Sequence, residues 1–542
     1  MRQANQKACL FRNDILVKYV IFTFSLMLTC SGKAQLTSIP LNHAFKDYFA
    51  QPLANRSHSA IQPFNPFEAR ATVDSIQQTY TINNQFTQTW LGRKLLNENM
   101  ANVKGKDFQF MFNPLFDLSL GREDGSDELL FHNTRGLQVG AVLGEKFMIY
   151  SDFYENLHRF PTYIDQFIEN NRVVPGQGIP KRDKQTEDFA YVNGYFDFQA
   201  SKFLNLRFGY GKHFFGDGYR SLLLSDNSFN YPYLRMMTSF WKIKYVNLFT
   251  QMNDINILTP NNIFGRKYVT SHYLSAEVTP RLNLSLFESI VYQDTSGTRG
   301  YDINYLNPFI LYRPIEFAVG SRGGNALVGG ALKYQATNNM YIYAQGILDE
   351  LLFENLFGGE GWWANKFGIQ LGFKSYNTFI EGLMIQCEFN TTRPYTYTHR
   401  TASQNYAHYN EALAHPFGAN FVESVNIVRY MKNRYFVEGH FIFSVQGRDF
   451  EDSNWGSDLY ISSDEREQNF GNEFLQGNRT NLFFSNLKAG YIVNPNTNWR
   501  LEFSYTYRSL MPEVETTTLK ADKTHYFQFG ILTAINNHYY DF

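Results

Sequence analysis

Apolar and polar residues alternate along most of the chain with the period of a β-strand. In FAYVNGYFDFQA, residues 189–200, one face consists of alanine, valine, glycine and phenylalanine between Ala190 and Ala200. The other face consists of tyrosine, asparagine, aspartate and glutamine between Tyr191 and Gln199. Successive side chains of a strand point to opposite faces. The segment therefore predicts a strand with one apolar and one polar face.

The same pattern recurs over more than three hundred residues, in FLNLRFGYG (203–211), RLNLSLF (281–287), NMYIYAQGILDE (339–350) and HYFQFGILTAI (525–535). The last of these places Phe527, Phe529, Ile531 and Ile535 on one side. A soluble sandwich could contain any one such strand, but no second apolar layer is present to cover so many.

A closed barrel is the fold that this pattern predicts. Beyond the N-terminal region no stretch is long and apolar enough for a transmembrane helix, so only a barrel could cross a membrane. Residues 106–542 number 437, and roughly 24 residues per strand and connection give about 18 strands. We therefore predict an all-β fold, a transmembrane antiparallel β-barrel.

The first 105 residues lack the alternation. Residues 1–34 resemble a secretory signal peptide, with a basic start, the apolar stretch Tyr19–Cys30, and small residues up to Ala34. A lipoprotein anchored at Cys30 is the alternative, although the residues before it form a poor acylation context. Residues 35–105 are predicted to be a small periplasmic helical segment, with a helix or helical pair over 71–103. Its apolar residues fall at approximately helical intervals: Ile76, Tyr80, Trp90, Leu91 and Leu95.

Composition agrees with a barrel in lipid. Aromatic residues make up 17% of the chain, yet the mean hydropathy is −0.36, as expected when the apolar residues form a thin outer skin with aromatic girdles. The first 34 residues hold five of the 49 Lys and Arg and one of the 50 Asp and Glu, so the remainder has a net charge of −5. This charge does not favour nucleic acid as a partner. Cys387 is the one cysteine after the signal, which excludes an intramolecular disulfide there.

The sequence ends in NNHYYDF. A terminal phenylalanine with nearby aromatic residues resembles the C-terminal recognition signal of outer-membrane barrels. Asn536, Asn537 and His538 interrupt the alternation, so the last residues are expected to form a short tail below the strand.

A glycine-rich stretch, GYGKHFFGDGYRSLLLSDN, lacks the Gly-Lys-Ser/Thr ending of a phosphate-binding loop. Glycines near a strand end more often mark a bulge or a tight turn, so we expect this loop to fold into the lumen. Its charged residues Asp217, Arg220 and Asp226, and Arg235 beyond it, would then pair with polar groups of the wall. An ordinary surface loop is the alternative. The candidate residues are Gly216, Asp217, Gly218, Arg220, Ser221 and Asn227.

Residues 393–421 are unusually rich in tyrosine and histidine. His399, His408 and His415 are too widely spaced for local metal chelation, and no nucleophile-elbow sequence suggests a hydrolase. We therefore predict no metal, cofactor or catalytic site. The hypothesis is an outward or pore-lining aromatic platform for polysaccharide or a partner protein, and packing within the barrel is the equally weighted alternative. The candidate contacts are Tyr395, Tyr397, His399, Arg400, Tyr406, His408 and Tyr409.

Several segments resemble known families. Gly209 to Arg235 resembles the glycine-rich turn and Ser-Leu-x-Leu-Ser-x-Asn of Wzi-type capsule assembly barrels, through Gly216, Gly218 and Ser221 to Asn227. The sequence departs from that group at Phe215, where a tryptophan is expected, and at residues 227–230, which read NSFN in place of Asn-Ala-Arg-Pro. The segments WLGRKLLNEN, NTRG, VVPGQG, GDGYRSLLLSDN, FWKIKY, RPYTYTH and YYDF resemble RemB-type gliding motility proteins, which carry a Wzi-like barrel.

The resemblance implies a non-enzymatic barrel in the outer membrane of a Gram-negative cell, with lipid as its surroundings. Its implied role is in cell-surface adhesion or gliding, or in retention of surface polysaccharide, with polysaccharide or the gliding machinery as partner. The polar lumen-facing residues leave a diffusion porin or uptake channel as the alternative function.

Overall fold

The structure is a computed structural model that describes residues 39–49, 51–294, 300–309, 324–349 and 360–542. The predicted signal peptide lies outside the described residues. None of the helices in these ranges is long and apolar enough to span a bilayer.

Eighteen long antiparallel strands in the described residues form a closed barrel. Each strand pairs with its neighbours in chain order, and the last strand pairs with the first, so that Leu532 lies opposite Asp117. Closure leaves no open sheet edge. The strands are β1 (Phe108–Glu123), β2 (Leu130–Leu143), β3 (Phe147–Arg159), β4 (Thr186–Gln199), β5 (Leu204–Gly211), β6 (Tyr231–Phe240), β7 (Ile243–Leu258), β8 (Phe264–Thr279), β9 (Leu282–Asp294), β10 (Asn325–Thr337), β11 (Met340–Asp349), β12 (Phe367–Tyr376), β13 (Leu383–Thr392), β14 (Phe421–Lys432), β15 (Tyr435–Arg448), β16 (Asn478–Asn494), β17 (Trp499–Pro512) and β18 (Asp522–Thr533).

The two ends of the barrel differ. At one end, the short-turn end, the strands are joined by connections such as residues 241–242 and 433–434. At the other, the long-loop end, the connections include residues 160–185, 212–230, 393–420 and 449–477. The first of these loops contains a helix, Thr162–Asn171. Since long connections of such barrels are extracellular, the long-loop end is the end expected to face outward.

The predicted alternation is confirmed, with the apolar face outward. On β4, Phe196 is 50% exposed and Asp197 is fully buried. Asp197 lies opposite Arg207 of β5 and forms an ion pair with it, at 2.5 Å. A lumen-facing charge is thus satisfied by its neighbour on the same wall. One expected position is wrong: β18 ends at Thr533, and Ile535 is buried inside the barrel.

The outer face gives a first prediction. Phe443, near the middle of β15, is 55% exposed, and Phe443→Arg should destabilise the inserted barrel by about 2–4 kcal/mol, the cost of a cation at the bilayer midplane. Thr518→Arg, in the exposed connection before β18, should change stability by less than about 0.5 kcal/mol. Urea titration of refolding into phospholipid vesicles measures both. Equal effects would mean that β15 does not face lipid.

The N-terminal segment is helical, as predicted, but its bounds differ. The helices are α1 (His43–Phe49), α2 (Gln51–Ala54), α3 (Pro66–Thr79) and α4 (Trp90–Leu96). The prediction of helix over 71–103 therefore missed α1 and α2, and residues 101–104 form a short strand beside β1. The carboxamide of Asn65 caps α3 by accepting from Phe67 N at 3.0 Å, and proline follows it as the first helical residue.

Candidate functional site

The lumen holds four chain segments, which together are called the lumenal plug: residues 39–65 (apart from 50), 212–230, 393–420 and 534–542. Side chains from several sides of the wall bind them. Arg235 of β6 donates to Pro63 O at 2.9 Å, Gln345 of β11 donates to Phe215 O at 2.9 Å, and Arg508 of β17 donates to Phe542 O at 2.8 Å. The segments also bind one another, since Ile61–Gln62 pairs with Phe214–Phe215 as two short strands.

The glycine-rich loop 212–230 crosses the lumen. A Cβ at residue 218 would lie 2.3 Å from a carboxylate oxygen of Glu388, so only glycine allows this approach. Asp217 lies 3.4 Å from Lys333 of the wall. Within the loop, Ser221 Oγ donates to Phe215 O at 2.7 Å. The remaining candidates also face inward: Gly216 beside Gln345, and Asn227, which donates to Ala412 O at 3.2 Å.

Arg220 is the centre of a buried ion cluster. Its guanidinium lies 3.2 Å from Glu423 of β14 and 3.1 Å from Asp541 of the 534–542 segment, and all three side chains are buried. His415, in the 393–420 loop, contacts the other oxygen of Glu423 at 2.6 Å. One arginine thus joins the wall to two plug segments, and through Glu423 to a third. Buried charges are tolerated only when paired in this way.

A second ion cluster fixes α1 to the wall at the short-turn end. Asp47 accepts from Lys374 Nζ at 3.0 Å and from Tyr376 Oη at 2.8 Å, and it also contacts Arg429. Arg429 in turn pairs with Glu438 at 2.5 Å. α1 and α2, which precede the helical element predicted at 71–103, lie inside the lumen.

The tyrosine-rich loop packs inside the barrel. Tyr395, Tyr397 and Tyr406 are completely buried, and their hydroxyls donate to the carbonyls of Asn454, Leu222 and Leu223 at 2.8, 2.7 and 2.8 Å. Two of these acceptors belong to the 212–230 loop. These three tyrosines therefore pack within the barrel, which was the alternative to an outward or pore-lining platform. Their faces are already covered by protein.

The other candidate contacts divide between interior and surface. His408 is buried; its Nδ1 accepts from Asn253 N at 2.9 Å, its Nε2 lies 3.2 Å from Asn230 O, and burial lowers its pKa to about 3. His399 is also buried, and its Nδ1 accepts from Thr401 N. Arg400 is exposed and Tyr409 is half-buried. The three histidines of this loop thus have three different sets of partners, and in the described ranges no cluster of three or more His, Cys, Asp or Glu could hold a metal ion.

A small group of residues beside Tyr409 remains accessible at the long-loop end. Asn256 donates to Asn410 Oδ1 at 2.7 Å, and Arg172 donates to Asn256 Oδ1. Asn410 also donates to Asn171 O at 3.1 Å, while the ring of Tyr409 rests on Phe229, with centroids 4.9 Å apart. We call Arg172, Asn256, Tyr409 and Asn410 the amide–tyrosine patch.

Sequence reasoning missed the insertion of residues 39–65 and 534–542. The last residues were expected as a tail below β18, but Tyr539 and Asp541 are buried in the lumen, and Phe542 packs on Phe167 of the long-loop end, with centroids 4.4 Å apart. One signal was available: Lys374 and Arg429 sit on lumen-facing positions of different strands and required carboxylates, which Asp47 supplies.

No family model matches the chain, and no curated protein matches it. Among solved structures it is similar to Wzi, an outer-membrane protein involved in group 1 capsule assembly in Escherichia coli and a carbohydrate-binding β-barrel. The TM-score is 0.53 at 12% identity, over 92% of this chain and 99% of that chain. Pseudomonas aeruginosa OprD gives a TM-score of 0.41 at 9% identity, over 78% and 94% of the two chains, and OpdO gives 0.42 at 10%, over 79% and 96%.

At such identities a likeness shows the fold alone, and the two Pseudomonas proteins are too distant in structure to carry an argument. The fold is that of a closed 18-strand barrel like Wzi. The resemblance to gliding motility proteins rests on the quoted sequence segments.

Proposed function

We propose that this protein is a non-enzymatic outer-membrane barrel that holds surface carbohydrate at its long-loop end and does not serve as a diffusion channel. The observation that carries the proposal is the lumenal plug, which buried ion pairs of Arg220 and Asp47 join to the wall. A membrane location is supported by the outward face of the strands, on which Phe196, Phe443 and Phe503 are exposed.

The plug opposes the porin alternative. A diffusion channel needs a continuous polar path wide enough for its solute. In the described part of the chain, the lumen is occupied from α1, which packs on Met431, Phe436 and Ile492 at the short-turn end, to the buried tyrosines of the 393–420 loop. Buried ion pairs join the plug to the wall. The plug stays in place because its removal would leave buried charges without partners.

Carbohydrate is the ligand class that the accessible chemistry fits best. The amide–tyrosine patch offers two carboxamides, a guanidinium and part of an aromatic face, the groups that bind sugar hydroxyls and the apolar side of a sugar ring. The patch rests on the packed 393–420 loop, so its geometry is fixed before a ligand arrives. The Wzi-like fold over 92% of the chain points the same way.

Binding to purified surface polysaccharide of the source organism tests this proposal. Combining Asn256→Ala, Tyr409→Ala and Asn410→Ala should weaken binding at least several-fold, since one stacked ring alone is worth about 0.5–1.5 kcal/mol. Thr518→Ala, on another exposed connection, is the matched control. Heat-dependent gel mobility verifies that each variant is folded. Unchanged affinity of the folded triple variant would contradict carbohydrate binding at this patch.

The cellular role is a finer part of the proposal. The resemblance of the quoted segments to RemB-type proteins favours adhesion or gliding, and the Wzi-like barrel favours retention of surface polysaccharide. Deleting the gene and scoring surface spreading, polysaccharide retention and solute uptake together separates these roles. A defect confined to solute uptake would contradict the proposal and favour the channel.

A further inference from the structure

Residues 534–542 run through the lumen from β18 towards the long-loop end. Nine residues span at most about 30 Å when extended, close to the roughly 30 Å thickness of a bilayer hydrocarbon core. At the short-turn end, Asn42 of the N-terminal segment donates to Asn536 O at 3.0 Å. At the long-loop end, Tyr163 donates to Tyr540 O at 2.9 Å and Gln177 donates to Tyr540 Oη at 2.8 Å.

A cavity of about 250 Å³, with polar and apolar lining residues, follows this segment, which forms one of its sides. Its lining reaches from Asn42 and Arg500 to Tyr163 and Gln177, so it extends between the two ends of the barrel. The opposite wall carries polar atoms that have no hydrogen-bond partner among the described residues. These are Nε2 of His132, Nδ1 of His158 and the hydroxyl of Tyr526, on β2, β3 and β18.

Such atoms are costly to bury unless water or solute satisfies them. His158 and Tyr526 are more than nine-tenths buried, and both line the cavity. The wall on the side of β2, β3 and β18 therefore has a polar strip beside the cavity, although Ile535 and Phe542 of the segment pack on an apolar cluster.

We propose that this side of the lumen is a latent pathway for small hydrophilic solutes, and that residues 534–542 are its seal. With the segment in place the pathway is a narrow cavity. With the segment withdrawn, it widens by the cross-section of one chain and its side chains, bounded by the polar wall of β1–β3 and β14–β18.

The way in which the segment is held makes it separable from the barrel. Ala534 donates to Asn498 O at the turn, but beyond it the contacts are made by side chains. Tyr539 Oη donates to Asp226 at 2.7 Å and meets His43 Nε2 at 2.8 Å, and Asp541 accepts from Tyr219 Oη at 2.7 Å. Release of the segment therefore breaks no hydrogen bond between wall strands.

Two variants and one condition test the seal in planar bilayers. Deletion of residues 534–542, and separately the pair Tyr539→Ala and Asp541→Ala, should each produce discrete current steps that the unaltered protein lacks. Small sugars should then also swell liposomes that contain the variants. Thr518→Ala is the control and should stay closed. Heat-dependent gel mobility establishes that the barrels are assembled.

If neither variant assembles, the unaltered protein in urea concentrations below barrel unfolding decides the question, because the side-chain contacts should yield before the strand ladder does. Current steps there support the seal. The inference is wrong if an assembled variant gives no current steps. It is also wrong if the unaltered protein gives none in urea up to barrel unfolding. The inference goes beyond the proposed function: conduction by the unaltered protein would contradict the proposed function, whereas closed variants would contradict only the seal.

Discussion

Arg220→Met should loosen the lumenal plug without dissolving the barrel. Glu423 and Asp541 would both lose their arginine partner in a buried site, and removal of one member of such a pair typically costs about 3–5 kcal/mol. The side chain of methionine has similar length, so packing changes little. We expect amide hydrogens of residues 212–230 to exchange much faster, while those of β14 and β15 remain protected.

Arg122 provides the control for this prediction. It lies 4.0 Å from Asp127, and both side chains are exposed. Arg122→Met should therefore cost no more than about 1 kcal/mol. Equal and small changes in exchange for both variants would mean that the Arg220 cluster does not hold the plug.

Replacing the buried tyrosines should give the second large effect. Tyr397→Ala or Tyr406→Ala should destabilise the folded lumen by about 3–5 kcal/mol, as for other large aromatic residues in a core. The two rings are stacked at an angle of 24°, with centroids 5.8 Å apart, so each variant also leaves the other ring exposed to a cavity. Tyr→Phe at either position should cost only about 1–3 kcal/mol, for the carbonyl that loses its donor.

Thermal unfolding in detergent, monitored through near-ultraviolet circular dichroism, measures these changes. Arg400→Ala, in the same loop but exposed, should leave the transition unchanged. If the alanine variants at 397 and 406 behaved like Arg400→Ala and lost only ligand binding, the display platform would be right after all.

The barrel could be predicted from the sequence because the alternation of apolar and polar residues is a local pattern. Period-two alternation in segments such as residues 189–200 and 281–287 requires one apolar and one polar face, and the structure has Phe196 and Leu286 outward, with Asp197 and Ser285 inward. The number of residues after residue 105 predicted the strand number, because strands and connections in a closed barrel have a regular length. The first long strand begins at Phe108, close to the expected boundary.

The segments that fill the lumen were harder to predict from the sequence, because their positions depend on contacts between residues far apart in the chain. His43 meets Tyr539 across 496 positions, and Lys374 meets Asp47 across 327. A polar stretch such as residues 39–65 gives no local sign of the partners that will cover it. The inward course of the 212–230 loop could be argued, since glycines and charges of both signs favour close approach and pairing.

The tyrosine-rich loop shows a further limit. Tyr395 and Tyr397 have φ angles of 64° and 71°, a left-handed conformation that is strained for a bulky residue and persists only when the surroundings impose it. Tyrosine composition is equally suited to display and to packing, since the ring is apolar and the hydroxyl can bind either water or a carbonyl. The positions of Leu222 O and Leu223 O decided the outcome, and neither is visible in the local sequence.

Single-channel recording of the unaltered protein in planar bilayers tests the central claim most directly. Purified barrels whose insertion is verified by proteoliposome flotation should give no current steps across the voltage range in which a porin of similar strand number conducts. This result is predicted because the plug is fixed to the wall through Arg220 and Asp47. Stable conductance through the unaltered protein would contradict the account and show that the protein is a diffusion channel.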